Sequence, residues 1–321
     1  MSRACFRAGA LCAMVTGLME RATAYAPGST SNVGPGFDCL GIALTGLGDR
    51  VTAERGKGPG VRVRAVTDDR IPLEAHRNTA ALAASAVLKR AGGPPVGLEL
   101  EIEKGLPLAG GLGGSAASAV AGAVAADAVL DAALGPDVLL ACAVEAEAVV
   151  AGRHADNVAP SLLGGAVIVL GLDPLRHARI TVHPSLRLVL VMPDYEVATA
   201  KARALLPVVV ARPDAVAQAA SLAGLVVGLE RGDGELIAAA MVDRIAEPGR
   251  VPLYPGYREA REAALEAGAW GVAVSGAGPT LVALASEERA GAVGEAAAAA
   301  YAPAETTVHV SEVDGEGARI T

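Results

Sequence analysis

The sequence predicts an α+β chain folded into two lobes. Three observations carry that expectation. Strand-like and helix-like segments alternate at similar spacing through both halves, glycine-rich turns punctuate them, and the apolar helices are Ala-rich and interrupted by Gly, Pro or Asp rather than long enough to span a membrane. At 321 residues, 52% hydrophobic and 19% charged, the chain is globular and long enough for one large or two medium cores. Aromatic residues make up only 2%, so Ala, Val and Leu must build those cores. The same scarcity, with a net charge of −8, argues against nucleic acid as a partner.

Taken in order, Arg21 to Tyr25 reads as a short strand, followed by a Gly/Pro/Ser/Asn turn region from Pro27 to Gly36. Val51 to Glu54 and Val61 to Val66 read as strands around a Gly/Pro turn. Asn78 to Ala91 is Ala-rich without a breaker and therefore helical, Val96 to Ile102 alternates as a strand, and Leu106 to Gly114 is glycine-rich. Ser115 to Ala133 carries only Asp127 and Asp131 as charges, which predicts a buried helix. Pro136 to Val150 is a further helix, and Gly164 to Leu170 and Leu186 to Val191 are strands. In the second half, Ala211 to Arg231, Gly234 to Met241, Tyr257 to Ala267 and Glu287 to Tyr301 read as helices. Gly271 to Val274, Thr280 to Ala285 and Thr306 to Val310 read as strands. The boundary between lobes is expected near residues 171 to 185.

Residues 1–18 stand apart. Arg3 and Arg7 precede an apolar run, and Ala22-Thr23-Ala24 imitates a signal-peptide cleavage site. Cleavage there would destroy the strand leading into the richest motif of the chain, so these residues are expected to be a disordered extension or a mis-annotated start, with Met19 as the true beginning. Cys5, Cys12, Cys39 and Cys142 show neither zinc spacing nor a disulfide framework and read as reduced cytoplasmic thiols.

Four segments carry chemistry. Pro107-Leu108-Ala109-Gly110-Gly111-Leu112-Gly113-Gly114-Ser115-Ala116-Ala117-Ser118 is a strand end, a glycine loop and a helix start. Glycines let backbone N–H groups approach a ligand, and the helix directs its positive dipole end at the same spot, an anion cradle that needs no lysine. Ser115 can cap the helix or meet a phosphate-bound Mg²⁺; a plain glycine linker is the alternative. No lysine stands in a G-x-x-x-x-G-K-[ST] arrangement, so a P-loop is excluded. Ala26 to Asp38 places Asn32 and Asp38 in a turn suited to a small polar ligand, Val274 to Thr280 is a second glycine turn, and His154-Ala155-Asp156-Asn157-Val158-Ala159-Pro160 follows a helix bearing Glu145 and Glu147. Read alone, these could be a plain turn, a tight hairpin and a satisfied core histidine.

Together, in this order and spacing, the segments resemble the GHMP kinase superfamily and, within it, the homoserine kinase branch, from about Arg21 to the C-terminus. The resemblance implies a two-lobed fold, with an ATP-binding N-terminal domain over residues 19–175 and a ferredoxin-like C-terminal domain over 176–321. It implies ATP and Mg²⁺ as cofactors, L-homoserine as acceptor, a cytoplasmic location, no nucleic acid or membrane partner, and a possible homodimer. Residues 107–116 and Ser118 would hold the phosphates, and Asn78 would lie near the adenine. Asn32 and Asp38 would hold the ammonium of the amino acid, His154 and Asn157 would line the pocket near the reacting hydroxyl, and Arg203 and Arg250 would clamp the carboxylate with planar guanidinium forks. Ser115 and Glu147 would hold the metal, with Glu145 as the alternative. Three positions depart from the family pattern: Gly114 replaces the first loop serine, the stretch from the helix glutamate to His154 is one residue short, and Ala246 replaces a histidine. No Asp–Lys pair is visible to act as a base, so direct in-line transfer is expected, with Ser115, Glu147 and Asn157 as the catalytic group. Another small alcohol as acceptor, or a non-catalytic ligand-binding member, are the competing readings.

Overall fold

The structure is a computed structural model and describes residues 19–92, 96–150, 152–301 and 304–321. The expectation for residues 1–18, and with it Cys5 and Cys12, lies outside the described residues.

The first sheet is built on two long strands, β1 (Arg21–Asn32) and β2 (Gly36–Gly56). The predicted turn region from Pro27 is corrected here: the chain stays extended to Asn32, and only 33–35 turn. Proline and glycine at 27 and 28 are tolerated because the register shifts there, a bulge that absorbs the ladder bond proline cannot donate. β2 likewise runs far beyond the predicted four residues, since Leu40, Ile42, Ala43 and Leu44 are completely buried and apolar side chains there pack under helices. β3 (Gly60–Val66) pairs parallel with β4 (Gly97–Glu103), which pairs antiparallel with β2. β5 (Ala166–Leu172) adds to the early part of β2, and β6 (Leu175–Ile180) pairs with β5. The short β11 (Arg319–Ile320) returns from the end of the chain to β1.

Helix α1 (Thr79–Ala91) starts at Asn78, whose Oδ1 accepts from Ala81 N at 3.2 Å and caps it. α2 (Gly114–Leu130) is apolar on every side and buried on every side, as its composition predicts. It lies between β1 and β2 on one side and α1 and α3 (Pro136–Val150) on the other. With Ala dominating these contacts, backbones approach closely and the core substitutes many small contacts for a few large side chains.

The second sheet has the order β10-β7-β9-β8, all antiparallel, from β7 (Leu186–Pro193), β8 (Gly271–Val274), β9 (Leu281–Ser286) and β10 (Thr306–Ser311). This is the ferredoxin-like order. β7 reads as a continuous apolar run because both its faces are buried: Leu188 and Leu190 point into the core shared with the first lobe, Val189 and Val191 into a second core under α9 (Tyr257–Glu266) and α10 (Glu287–Ala300). Short elements absent from the sequence reading are α4 (Val158–Leu163), α5 (Thr199–Arg203), α8 (Glu247–Arg250), β6 and β11. Each is too short for a periodic signal. α6 (Arg212–Arg231) and α7 (Gly234–Ala240) match the expected helices. Among the described residues, no helix is long and apolar enough to cross a membrane.

Candidate active site

All four motifs converge on one cleft of about 320 Å³. The glycine loop follows β4 and turns into α2 through Gly113, whose φ of 66° is left-handed. A Cβ at Gly113 would lie 2.5 Å from Ser29 Oγ and 2.9 Å from Asn157 Oδ1, and a Cβ at Gly111 (φ 79°) would strike the carbonyl of Ser275. Bare backbone is therefore required at both positions, and the first-turn N–H groups of α2 point outward without helical partners. Gly113→Ala is expected to lower stability by about 1–3 kcal/mol through left-handed strain plus these contacts. It should also weaken nucleotide binding, as read by thermal melting and an ADP titration. Wild-type values for both would contradict this account of the loop.

Tertiary hydrogen bonds fasten the motifs to each other. Ser275 Oγ donates to Gly111 O at 2.7 Å and lies 2.9 Å from Thr30 Oγ1. Gly276 N donates to Ser31 O at 3.0 Å, and Asn32 Nδ2 donates to Gly276 O at 2.7 Å. Asn32 Oδ1 accepts from Asp38 N at 3.0 Å, so its amide shapes the turn as well as lining the cleft. Asn157 bridges the same strand: Ser29 Oγ donates to its Oδ1 at 3.0 Å, and its Nδ2 donates to Ser31 Oγ at 2.9 Å.

At the helix end of the cleft, Ser115 Oγ donates to Glu147 Oε2 at 3.0 Å. Glu147 is 1% exposed and its Oε1 is buried without a hydrogen-bond partner. Burial pushes its carboxyl up, against the Ser115 bond and the nearby His154. A desolvated carboxylate with one oxygen unsatisfied fits a hard cation. Two protein oxygens are few for a dedicated protein cage, and among the described residues no group of three or more His, Cys, Asp or Glu side chains could hold a metal. They suit Mg²⁺, which keeps waters and phosphate oxygens in its shell. Glu145, the alternative, points away: it is exposed, outside the cleft lining, and paired with Arg90.

Across the cleft, Arg203 grips Asp38 in a two-pronged ion pair, Nη2 to Oδ1 at 2.7 Å and Nη1 to Oδ2 at 3.1 Å. Burial lowers the Arg203 pKa, but the Asp38 bonds outweigh it and leave the guanidinium above its usual value. Arg250 is 4% exposed, donates to Ala202 O at 3.1 Å and is lowered by burial. Phe37 lies under both cations, its ring centre 5.0 Å from Arg250 Cζ and 5.9 Å from Arg203 Cζ. His154 Nδ1 stands 3.6 Å from Asp156 Oδ1, and burial raises the Asp156 carboxyl.

Of the residues singled out from the sequence, Asn32, Asp38, Asn78, Glu147, His154, Asn157, Arg203 and Arg250 line the cleft together with most of the loop. Leu112 and Ala116 do not; both are buried beneath it. Asn78 lines the cleft with its side chain already engaged, as helix cap and as donor to Pro72 O at 2.9 Å. Sequence reasoning passed over Ser29, Ser31, Phe37 and Asp156, all inside quoted motifs, and Arg70, Arg77 and Thr199, which carry no local signal. It also recognised no Asp–Lys pair, and one exists: Lys104 and Asp49 are buried against each other beside the loop. Arg70, Arg77, Lys104, Arg203 and Arg250 stand on its walls beside Asp38, Glu147 and Asp156, so basic groups outnumber acidic ones in the cleft despite the net charge of −8.

Comparisons with known proteins identify the family and the fold. The chain matches the GHMP kinases N terminal domain over residues 78–165 and the GHMP kinases C terminal family over residues 225–303. It is 41% identical to a homoserine kinase of Arabidopsis thaliana over 310 residues, covering 92% of this chain and 83% of that protein. It is 41% identical to a homoserine kinase of Xanthomonas campestris pv. campestris over 289 residues, covering 89% and 86%. A crystal structure of homoserine kinase from Cytophaga hutchinsonii superposes with a TM-score of 0.90 at 38% identity, covering 95% of this chain and 98% of that one.

Proposed function

The chain belongs to the GHMP kinase family, on its homoserine kinase branch, and from that premise we propose that it moves the γ-phosphoryl group of ATP onto the side-chain hydroxyl of L-homoserine, giving O-phospho-L-homoserine and ADP. One observation carries the reading: an anion cradle of backbone N–H groups and a charge set matched to an amino-acid zwitterion, Asp38 with Arg203 and Arg250, line the same cleft. The loop and α2 hold the phosphates through backbone N–H groups and the helix dipole. Asp38 takes the ammonium and the two arginines take the carboxylate, which leaves the hydroxyl near Asn157 and His154. Mg²⁺, held by Ser115 and Glu147, supplies charge neutralisation at the phosphates when bound. Phosphoryl transfer asks mainly for positioning and electrostatics, so the pocket works by aligning the hydroxyl rather than by covalent chemistry.

The division into residues 19–175 and 176–321 is proposed on the two sheets, with most of β6 and all of β11 falling in the second range while lying in the first sheet. A cytoplasmic location and a homodimer belong to the same reading on family grounds, and sedimentation would check the latter.

Offering homoserine, threonine, mevalonate and shikimate separately with ATP and Mg²⁺ tests the proposal through ADP release. Turnover with homoserine alone is expected. Turnover with another alcohol instead would overturn the assignment of Asp38, Arg203 and Arg250 while leaving the cradle standing.

A further inference from the structure

We propose that Lys104 and Asp49 form a buried clamp that holds both ends of the glycine loop in its anion-binding shape, making Lys104 a positioning residue for ATP rather than a ligand of it. This rests on reading the loop as the phosphate site. Lys104 follows β4 and Asp49 lies in β2, with side chains 6% and 0% exposed. An ammonium has three donors, and all three of Lys104 are engaged: to Asp49 Oδ2, to Gly114 O at 2.8 Å and to Ser118 Oγ at 3.1 Å. Asp49 is saturated in the same way. Its Oδ1 accepts from Gly105 N at 3.1 Å and Leu106 N at 3.3 Å, and its Oδ2 accepts from Ser118 Oγ at 2.7 Å.

The consequence is geometric. Asp49 holds the residues where the loop leaves β4, and Lys104 holds the carbonyl where the loop becomes α2. Between these ties run Gly110, Gly111 and Gly113, which have wide conformational freedom when unrestrained. Lys104 lines the cleft, yet it has no donor to offer a phosphate without releasing Asp49, Ser118 or the α2 carbonyl. Its charge lies under the cradle and its bonds keep the cradle closed. Each partner is fixed by the other, so the loop meets the nucleotide already ordered.

The test removes the ion pair while keeping shape. Losing one partner alone strands a buried charge, whereas replacing both avoids that penalty. In the double variant Lys104→Met with Asp49→Asn, the asparagine carbonyl still accepts from Gly105 and Leu106, and the tie to Gly114 is gone. Steady-state KM for ATP and the Kd for MgADP are expected to rise about 10–100-fold, as loss of preorganised positioning does. The KM for homoserine should stay within about threefold, because the amino-acid side of the cleft makes none of these bonds. Lys104→Arg, which keeps the charge and several donors, should recover much of the ATP affinity.

An unchanged KM for ATP would overturn the proposal. So would a parallel rise in both KM values that tracks a fall in melting temperature, the mark of a purely structural pair. Should the double variant fail to fold, Ser118→Ala carries the test, with a raised KM for ATP supporting the clamp and an unchanged one overturning it. Wild-type protein that binds no MgADP would instead overturn the phosphate-site reading itself, and the clamp with it.

Discussion

Glu147→Gln is expected to cut kcat about 10²–10³-fold, the range for losing one preorganised electrostatic group at a reacting centre, and yet to make the protein more stable. The two effects have one origin. Glu147 is almost fully buried with one oxygen unpartnered, and burial raises its carboxyl. A folded state that binds a proton more tightly than the unfolded chain loses stability as pH rises above the unfolded value. Wild-type stability without metal should therefore fall on going upward from about pH 4.5. The amide keeps the shape and can still accept from Ser115, but it has no charge to desolvate. Relief of about 1 kcal/mol corresponds to a rise of about 1–2 °C in Tm near neutral pH for a chain of this length. The variant's pH slope should flatten without vanishing, because burial also raises Asp156. A variant that melts lower at pH 7 and keeps its kcat would show Glu147 to be an ordinary buried anchor.

The second large effect concerns acceptor binding. Asp38→Asn and Arg203→Leu should each lower kcat/KM for homoserine about 10²–10³-fold while leaving the KM for ATP within about threefold, since each removes a charge partner of a zwitterion. About a third of each side chain is exposed, so solvent screening places these values below those for a fully buried pair. In the free protein the two groups neutralise each other. Each single variant leaves the other charge facing an empty partner position, so the double variant should lose less than the product of the single losses. Additive losses would indicate that the two groups never share a ligand. Equal losses for ATP and homoserine would indicate damage to the fold rather than to the acceptor site.

How far the sequence could be read depended on distance along the chain. The buried α2 was legible because seventeen residues with one charge allow no exposed face. The loop was legible because four glycines before a helix start have few other uses. The Ala-rich helices followed from short-range rules of the same kind, whereas the capping role of Asn78 emerged only in the structure. The strand β1 was cut short because proline and glycine at 27 and 28 look like a turn locally, and only the bulge against β2 makes them strand residues. The elements α4, α5, α8, β6 and β11, of two to six residues, complete too few turns or alternations to show a period.

Within the cleft the same division holds. Residue type and local spacing were enough to nominate Asp38, Ser115, Glu147 and Asn157; family resemblance gave them roles and alone added Arg203. Separation in the chain hid the partnerships: Asp38 with Arg203 across 165 positions, Asn32 with Gly276 across 244, and Asp49 with Lys104 across 55. Glu145 and Glu147 are two residues apart on one helix, and nothing in their spacing said which faces the cleft; the packing of α3 buried one and left the other with Arg90. Backbone preference, capping and apolar periodicity act within a few residues and are written into the sequence directly. Which side chains neutralise one another depends on sheet register and on how the lobes pack, and those are settled only when the whole chain buries its surface together.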